Sequence, residues 1–101
     1  MEVKQQVENK ELTLKLTGSL DTESAPDVED IIEGKIAAVE SILFDFYNLE
    51  YVSSAGLRVL LDTQKTMNET NKSMKIVGAN EVIMEVFEMT GFIDIMDVEE
   101  A

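Results

Sequence analysis

The chain has 101 residues, 45% hydrophobic and 29% charged, enough for one folded domain around one core, and no apolar stretch reaches membrane-spanning length. Its 21 acidic and 8 basic side chains leave a net charge of −13, which repels phosphate backbones and anionic lipid, so neither a nucleic-acid nor a membrane partner is expected. The absence of cysteine and histidine removes disulfides, thiolate catalysis, Ser-His-Asp hydrolysis and nearly all transition-metal sites; no cofactor and no metal are expected.

In chain order, a first strand is predicted around Glu2 to Val7, with Asn9-Lys10 as a turn. Leu12, Leu14 and Leu16 alternate with Thr13, Lys15 and Thr17, the period of a strand with one buried and one wet face. Gly18-Ser19-Leu20-Asp21 is expected to break that strand. Ser24 reads as an N-cap, Pro26 lies in the first turn, and Ala25, Val28, Ile31, Ile32, Ile36 and Val39 follow at helical spacing. Gly34 weakens this helix by about 1 kcal/mol relative to alanine unless close packing requires it.

Ile42-Leu43-Phe44-Asp45-Phe46 reads as a short buried strand, followed by a turn through Asn48-Leu49-Glu50. A second amphipathic helix carries Leu57, Leu60, Leu61, Gln64 and Met67 and runs to about Thr70. Met74 to Val77 form another strand. Asn80 caps a third helix with Val82, Ile83, Val86, Phe87 and Met89, and Gly91 sits where a left-handed C-terminal residue belongs. Ile93 to Val98 is a last short strand or an extended tail. The order β-β-α-β-α-β-α-β implies an α/β fold: one domain, a mixed four- to five-stranded sheet, and helices packed mainly on one face.

Ser53 and Ser54 stand at a strand-to-helix junction, at or beside the N-cap. Free N–H groups and the partial positive charge of a helix start can hold a hydroxyl oxygen or an added phosphate. Gly56 is expected to leave backbone open to a close partner. The plain alternative is that these serines are caps and nothing more.

Tyr51-Val52-Ser53-Ser54-Ala55-Gly56-Leu57-Arg58-Val59-Leu60-Leu61 resembles the signature of the STAS domain, in its anti-sigma-factor antagonist branch. Gly18-Ser19-Leu20-Asp21 is similar to that family's Gly-x-Leu-Asp turn. Ile42 to Asp45 matches its central strand, and Asn80 through Gly91-Phe92 its last helix and turn. The resemblance spans residues 1–101. It implies a non-enzymatic bacterial regulator acting in the cytoplasm, consistent with a start that lacks a basic segment followed by an apolar run.

In that family, a partner that is both serine kinase and anti-sigma factor binds the unphosphorylated antagonist and frees the sigma factor. Phosphorylation breaks the contact, and a serine phosphatase restores it. The family spacing puts the phosphate on Ser54, with Ser53 as the rival acceptor because it stands where many members have Asp. Asp21, Ser53, Ser54, Ala55, Gly56 and Arg58 are the implied partner-binding residues. Many members carry one more helix after the last strand, which is expected to be absent or vestigial at Glu99-Glu100-Ala101.

Two other readings compete. The same serine would serve a STAS module in a pathway without a sigma factor. A small nucleotide-binding protein would instead use Asp21, Asp45 and Ser54. Met67, Met74, Met84, Met89 and Met96 are expected to pack in the core rather than line a groove. Asp94, Asp97, Glu99 and Glu100 lack calcium-loop order, and Gly78-Ala79-Asn80 lacks the lysine of a phosphate-binding loop.

Overall fold

The computed structural model describes residues 1–101. It contains β1 (Glu2–Glu8), β2 (Glu11–Leu20), α1 (Ala25–Lys35), β3 (Ser41–Val52), α2 (Ser54–Glu69), β4 (Ser73–Ala79), α3 (Glu81–Thr90), a 3-10 turn (Phe92–Asp94) and β5 (Asp97–Glu100). The strands lie side by side in chain order, β1 antiparallel to β2 and the other three pairings parallel. Right-handed crossovers that all step the same way along a sheet put their helices on one face. One continuous cluster of 23 buried side chains joins that face to α1, α2 and α3.

The alternation in β2 works as its period demands. Leu12, Leu14 and Leu16 are fully buried beneath the helices, while Lys15 and Thr17 stand in solvent on the open face. Each such leucine stabilises the fold by about 1.5–3 kcal/mol. Asn9 (φ 51°) and Lys10 (φ 63°) form the two-residue left-handed turn that closes the β1–β2 hairpin at the Glu8–Glu11 pair.

Several local expectations need correction, among them the final strand, which is Asp97–Glu100 after a 3-10 turn at Phe92–Asp94 and not Ile93 to Val98. β2 does not stop at Gly18; it runs through it to Leu20, which pairs with Val52. Residues 41–52 are one long strand, not a short strand and a turn. Pairing with β2 slips between Asp45 and Asn48 and again between Leu49 and Tyr51, so β3 carries two extra residues. These bulges bring Phe46, Leu49 and Val52 onto the buried face at three-residue spacing, a pattern that hides the strand's period of two.

Helix α1 ends at Lys35, and Val39 is buried from the loop that follows. Met67, Met74 and Met96 are buried and Met84 packs against the core, but Met89 is 86% exposed. Gly34 has open space around it, so no packing contact requires glycine there.

Candidate functional site

The parallel strands β2 and β3 end together. Beyond the Leu20–Val52 pair, the Ser53 N–H donates to the Leu20 carbonyl at 2.9 Å, so Asp21 and Ser53 leave the sheet side by side. Carboxyl ends of adjacent parallel strands are where α/β folds gather functional loops. Asp21, Ser53 and Ser54, singled out from the sequence, are therefore brought to one edge of the sheet.

The two serines are not equivalent. Ser53 is the N-cap of α2, in extended backbone (φ −85°, ψ 177°) and half-buried, and its Oγ accepts the Gly56 N–H at 3.4 Å. That bond is long for its type. Ser54 is the first helical residue and is exposed. Its own N–H and that of Ala55 are orphan donors of the helix start, with no acceptor within the chain. The first turns of α1 and α3 hold Asp27 and Glu81, whereas the first turn of α2 has no acid to offset its partial positive charge.

Gly56 overturns its expected role. It is buried and faces inward, not toward a partner. A Cβ there would lie 2.7 Å from the Leu20 carbonyl oxygen, 2.8 Å from Leu20 Cγ and 3.0 Å from Val52 Cγ1. Glycine lets the first turn of α2 rest directly on the end of β2, and so fixes how the serines are presented. Ala55 is half-buried against the core, and Arg58 is exposed one turn beyond Ser54. Residues four apart share a helix face, so Arg58 lies on the side of Ser54.

Asp21 is locked by its own loop. Its Oδ1 accepts the N–H of Glu23 at 3.0 Å, the N–H of Ser24 at 3.1 Å and the Ser24 hydroxyl at 3.2 Å. The Ser24 amide, above all, holds its carboxyl below the usual carboxylate range; desolvation opposes it as the next largest effect, and the Ser24 hydroxyl and Glu23 amide add to the lowering. Ser24 is not the side-chain cap expected from its position. It is buried at 6% exposure, takes the Asp21 N–H at 2.9 Å and donates to the Ser19 carbonyl at 2.8 Å. Only the burial of a serine signals that bracing role, and sequence alone does not display it.

Asp45 lies elsewhere. It pairs with Lys15 on the open face, and its Oδ1 accepts the Tyr47 N–H at 3.0 Å, supporting the first bulge of β3. Seven residues of strand, about 20 Å, separate it from Val52. Asp21, Asp45 and Ser54 therefore do not converge on one ligand.

Sequence reasoning also understated Asn80. Beyond capping α3, its Nδ2 donates to the Leu49 carbonyl at 3.1 Å and the Glu50 carbonyl at 3.2 Å, on the strand that leads into the serines.

The STAS domain family model matches residues 1–101. The anti-sigma-B factor antagonist of Staphylococcus aureus is 31% identical over 88 residues, covering 86% of this chain and 82% of that protein. An anti-sigma factor antagonist from Mycobacterium paratuberculosis superposes with a TM-score of 0.87 at 17% identity, over 99% of this chain and 86% of the other. The Bacillus cell fate determinant SpoIIAA in its phosphorylated form gives 0.79 at 19% identity, over 96% and 90%. The two structural likenesses concern the fold. No helix is long and apolar enough to cross a membrane.

Proposed function

The chain belongs to the STAS domain family, in its anti-sigma-factor antagonist branch, and from that premise we propose that it is a phosphorylation-switched anti-sigma-factor antagonist in the bacterial cytoplasm. Its unphosphorylated form binds an anti-sigma factor that is also a serine kinase, and sigma factor is released. The kinase moves the γ-phosphoryl group of ATP onto Ser54 Oγ; the Oγ–P bond forms, ADP leaves and the hydroxyl proton passes to the kinase. A serine phosphatase reverses the modification. The protein is the regulated substrate and not itself an enzyme.

The single observation that carries this reading is the inequality of the two serines. Ser54 is exposed at the first position of a helix with free amides and no acid, whereas Ser53 is half-buried and its oxygen is engaged as the cap. That contrast supports Ser54 over Ser53 as the acceptor. A phosphate adds about −1.5 to −2 charge at a helix end that stabilises anions, so the fold survives it. The partner contact does not, because a small hydroxyl becomes a bulky hydrated anion. Loss of about 3 kcal/mol weakens binding more than a hundredfold. Asp21, with its carboxylate held in place beside Ser53, forms the adjoining part of the partner surface, and Arg58 flanks it.

The test combines mass spectrometry after incubation with ATP and the cognate kinase with binding of Ser54→Asp. One phosphate on Ser54 and a hundredfold weaker complex are expected. A folded Ser54→Asp protein that binds the kinase as well as wild type does would refute the switch.

A further inference from the structure

The ladder between β3 and β4 ends early. It runs from Ser41–Ser73 to Asp45–Val77, and residues 46–52 of β3 continue without a β4 partner. The reason lies at Gly78, where φ is +78° and a Cβ would meet the Tyr47 ring at 2.5 Å. The left-handed backbone turns β4 aside, and the Tyr47 ring lies against the glycine. The outer half of β3 is thus paired through β2 alone, where the pairing slips twice.

Unpaired strand carbonyls need donors. Here one side chain takes the place of the missing strand. Asn80 Nδ2 reaches across to both the Leu49 carbonyl, the last paired residue before the second slip, and the Glu50 carbonyl of the extra residue within it, while Oδ1 accepts the Ile83 N–H at 2.8 Å. The same carboxamide therefore pins the strand carrying the serines and starts helix α3. Glu50 is only three residues from Ser53.

We infer that Asn80 is a positioning residue for the Ser53–Ser54 pair, holding the bulged end of β3 so that Ser54 is presented in one geometry to the enzyme that modifies it. Its importance to phosphorylation rests on the switch reading above; its hold on the strand does not. The carboxamide is needed as a donor on one side and an acceptor on the other, which few side chains of this length supply.

Asn80→Asp isolates the donor. Aspartate is as good an N-cap as asparagine, so the Ile83 bond survives, but an oxygen now faces two carbonyl oxygens. Asn80→Ser is the second variant, keeping a cap while losing the reach. Amide hydrogen exchange is followed at Ser53, at Ile83 and at core amides such as Leu14, alongside kcat/KM for phosphate transfer to Ser54 by the cognate kinase. In both variants the Ser53 amide should exchange at least about tenfold faster than in wild type, and Ile83 and Leu14 should be accelerated several-fold less than Ser53. The kcat/KM should fall by about tenfold, and the unfolding midpoint should drop by less than in Asn80→Ala, because the cap bond is kept. Unchanged exchange at Ser53 overturns the inference, as does equal acceleration at every amide, which is the signature of simple loss of stability. A wild-type protein that is never phosphorylated at Ser54 removes the switch reading instead, and the exchange data still decide whether Asn80 holds the strand.

Discussion

The starts of α2 and α3 are built from the same parts and finished differently. Both have a polar N-cap in extended backbone, Ser53 and Asn80, following the end of a buried parallel strand. At α3 the cap bond is 2.8 Å, Glu81 supplies a negative charge in the first turn, and the cap's other atom is tied to β3. At α2 the cap bond is 3.4 Å, no acid follows, and Ser54 stands exposed. The difference teaches how a fold keeps one helix end chemically available. It withholds the groups that would satisfy that end, and obtains rigidity from packing beneath it.

That packing is where the comparison is most easily broken. Gly56→Ala adds one methyl against the Leu20 carbonyl, which cannot swing away as a side-chain end can. Overpacking of this kind costs about 1–3 kcal/mol, and the upper end is expected here because the nearest atom is backbone. Urea unfolding measures it. A variant as stable as wild type would mean that α2 is not seated on β2 at this point. The caps come next. Asn80→Ala removes a short cap bond and both strand bonds and should cost about 2 kcal/mol, whereas Ser53→Ala should cost about 0.5 kcal/mol, in the low range for caps. Equal losses at the two positions would erase the contrast.

Much of this architecture is legible in the sequence, because it depends on local periodicity. The leucine alternation of β2, most of the α2 stripe, and the Asn80 and Gly91 ends are read correctly from spacing, whereas on α3 Ile83 and Phe87 are buried but Val82 and Met89 face solvent. The outer half of β3 is not. Its two bulges replace a period of two with steps of three, and Asn48 and Glu50 supply turn-like composition in a strand. The site divides in the same way. Ser53 and Ser54 announce themselves as a helix start, but the inward face of Gly56, the bracing of Asp21 by Ser24 and the reach of Asn80 to Leu49 all arise from segments far apart or folded on themselves. No linear pattern encodes a contact between residues 49 and 80.

A charge at Ser54 sharpens the comparison from the other side. Because the first turn of α2 holds no acid, Ser54→Asp should stabilise the free protein by about 0.3–1 kcal/mol at low ionic strength, an increment that fades as salt is added. The gain is measurable as a shift in the urea midpoint. Destabilisation would mean that the helix start does not accept an anion, and the structural half of the switch would fail even if phosphorylation were observed.

The smallest effect belongs to Asp21, which is tied into its loop and only half-buried. Its carboxyl is depressed in the folded protein, chiefly by the Ser24 amide. A group with a lowered folded-state pKa contributes stability that is fully present above its ordinary unfolded range and is lost as pH falls through the depressed value. Asp21→Asn keeps one acceptor oxygen for the loop amides and removes only the charge-dependent part. The stability difference between wild type and this variant should be constant near neutral pH and close on acidification, with no change on the alkaline side. A gap that widens in acid would mean that the carboxyl is raised, not lowered. It would also mean that the loop beside Ser53 is held by something other than the Ser24 and Glu23 amides, removing the fixed negative charge from the edge where Ser54 is presented.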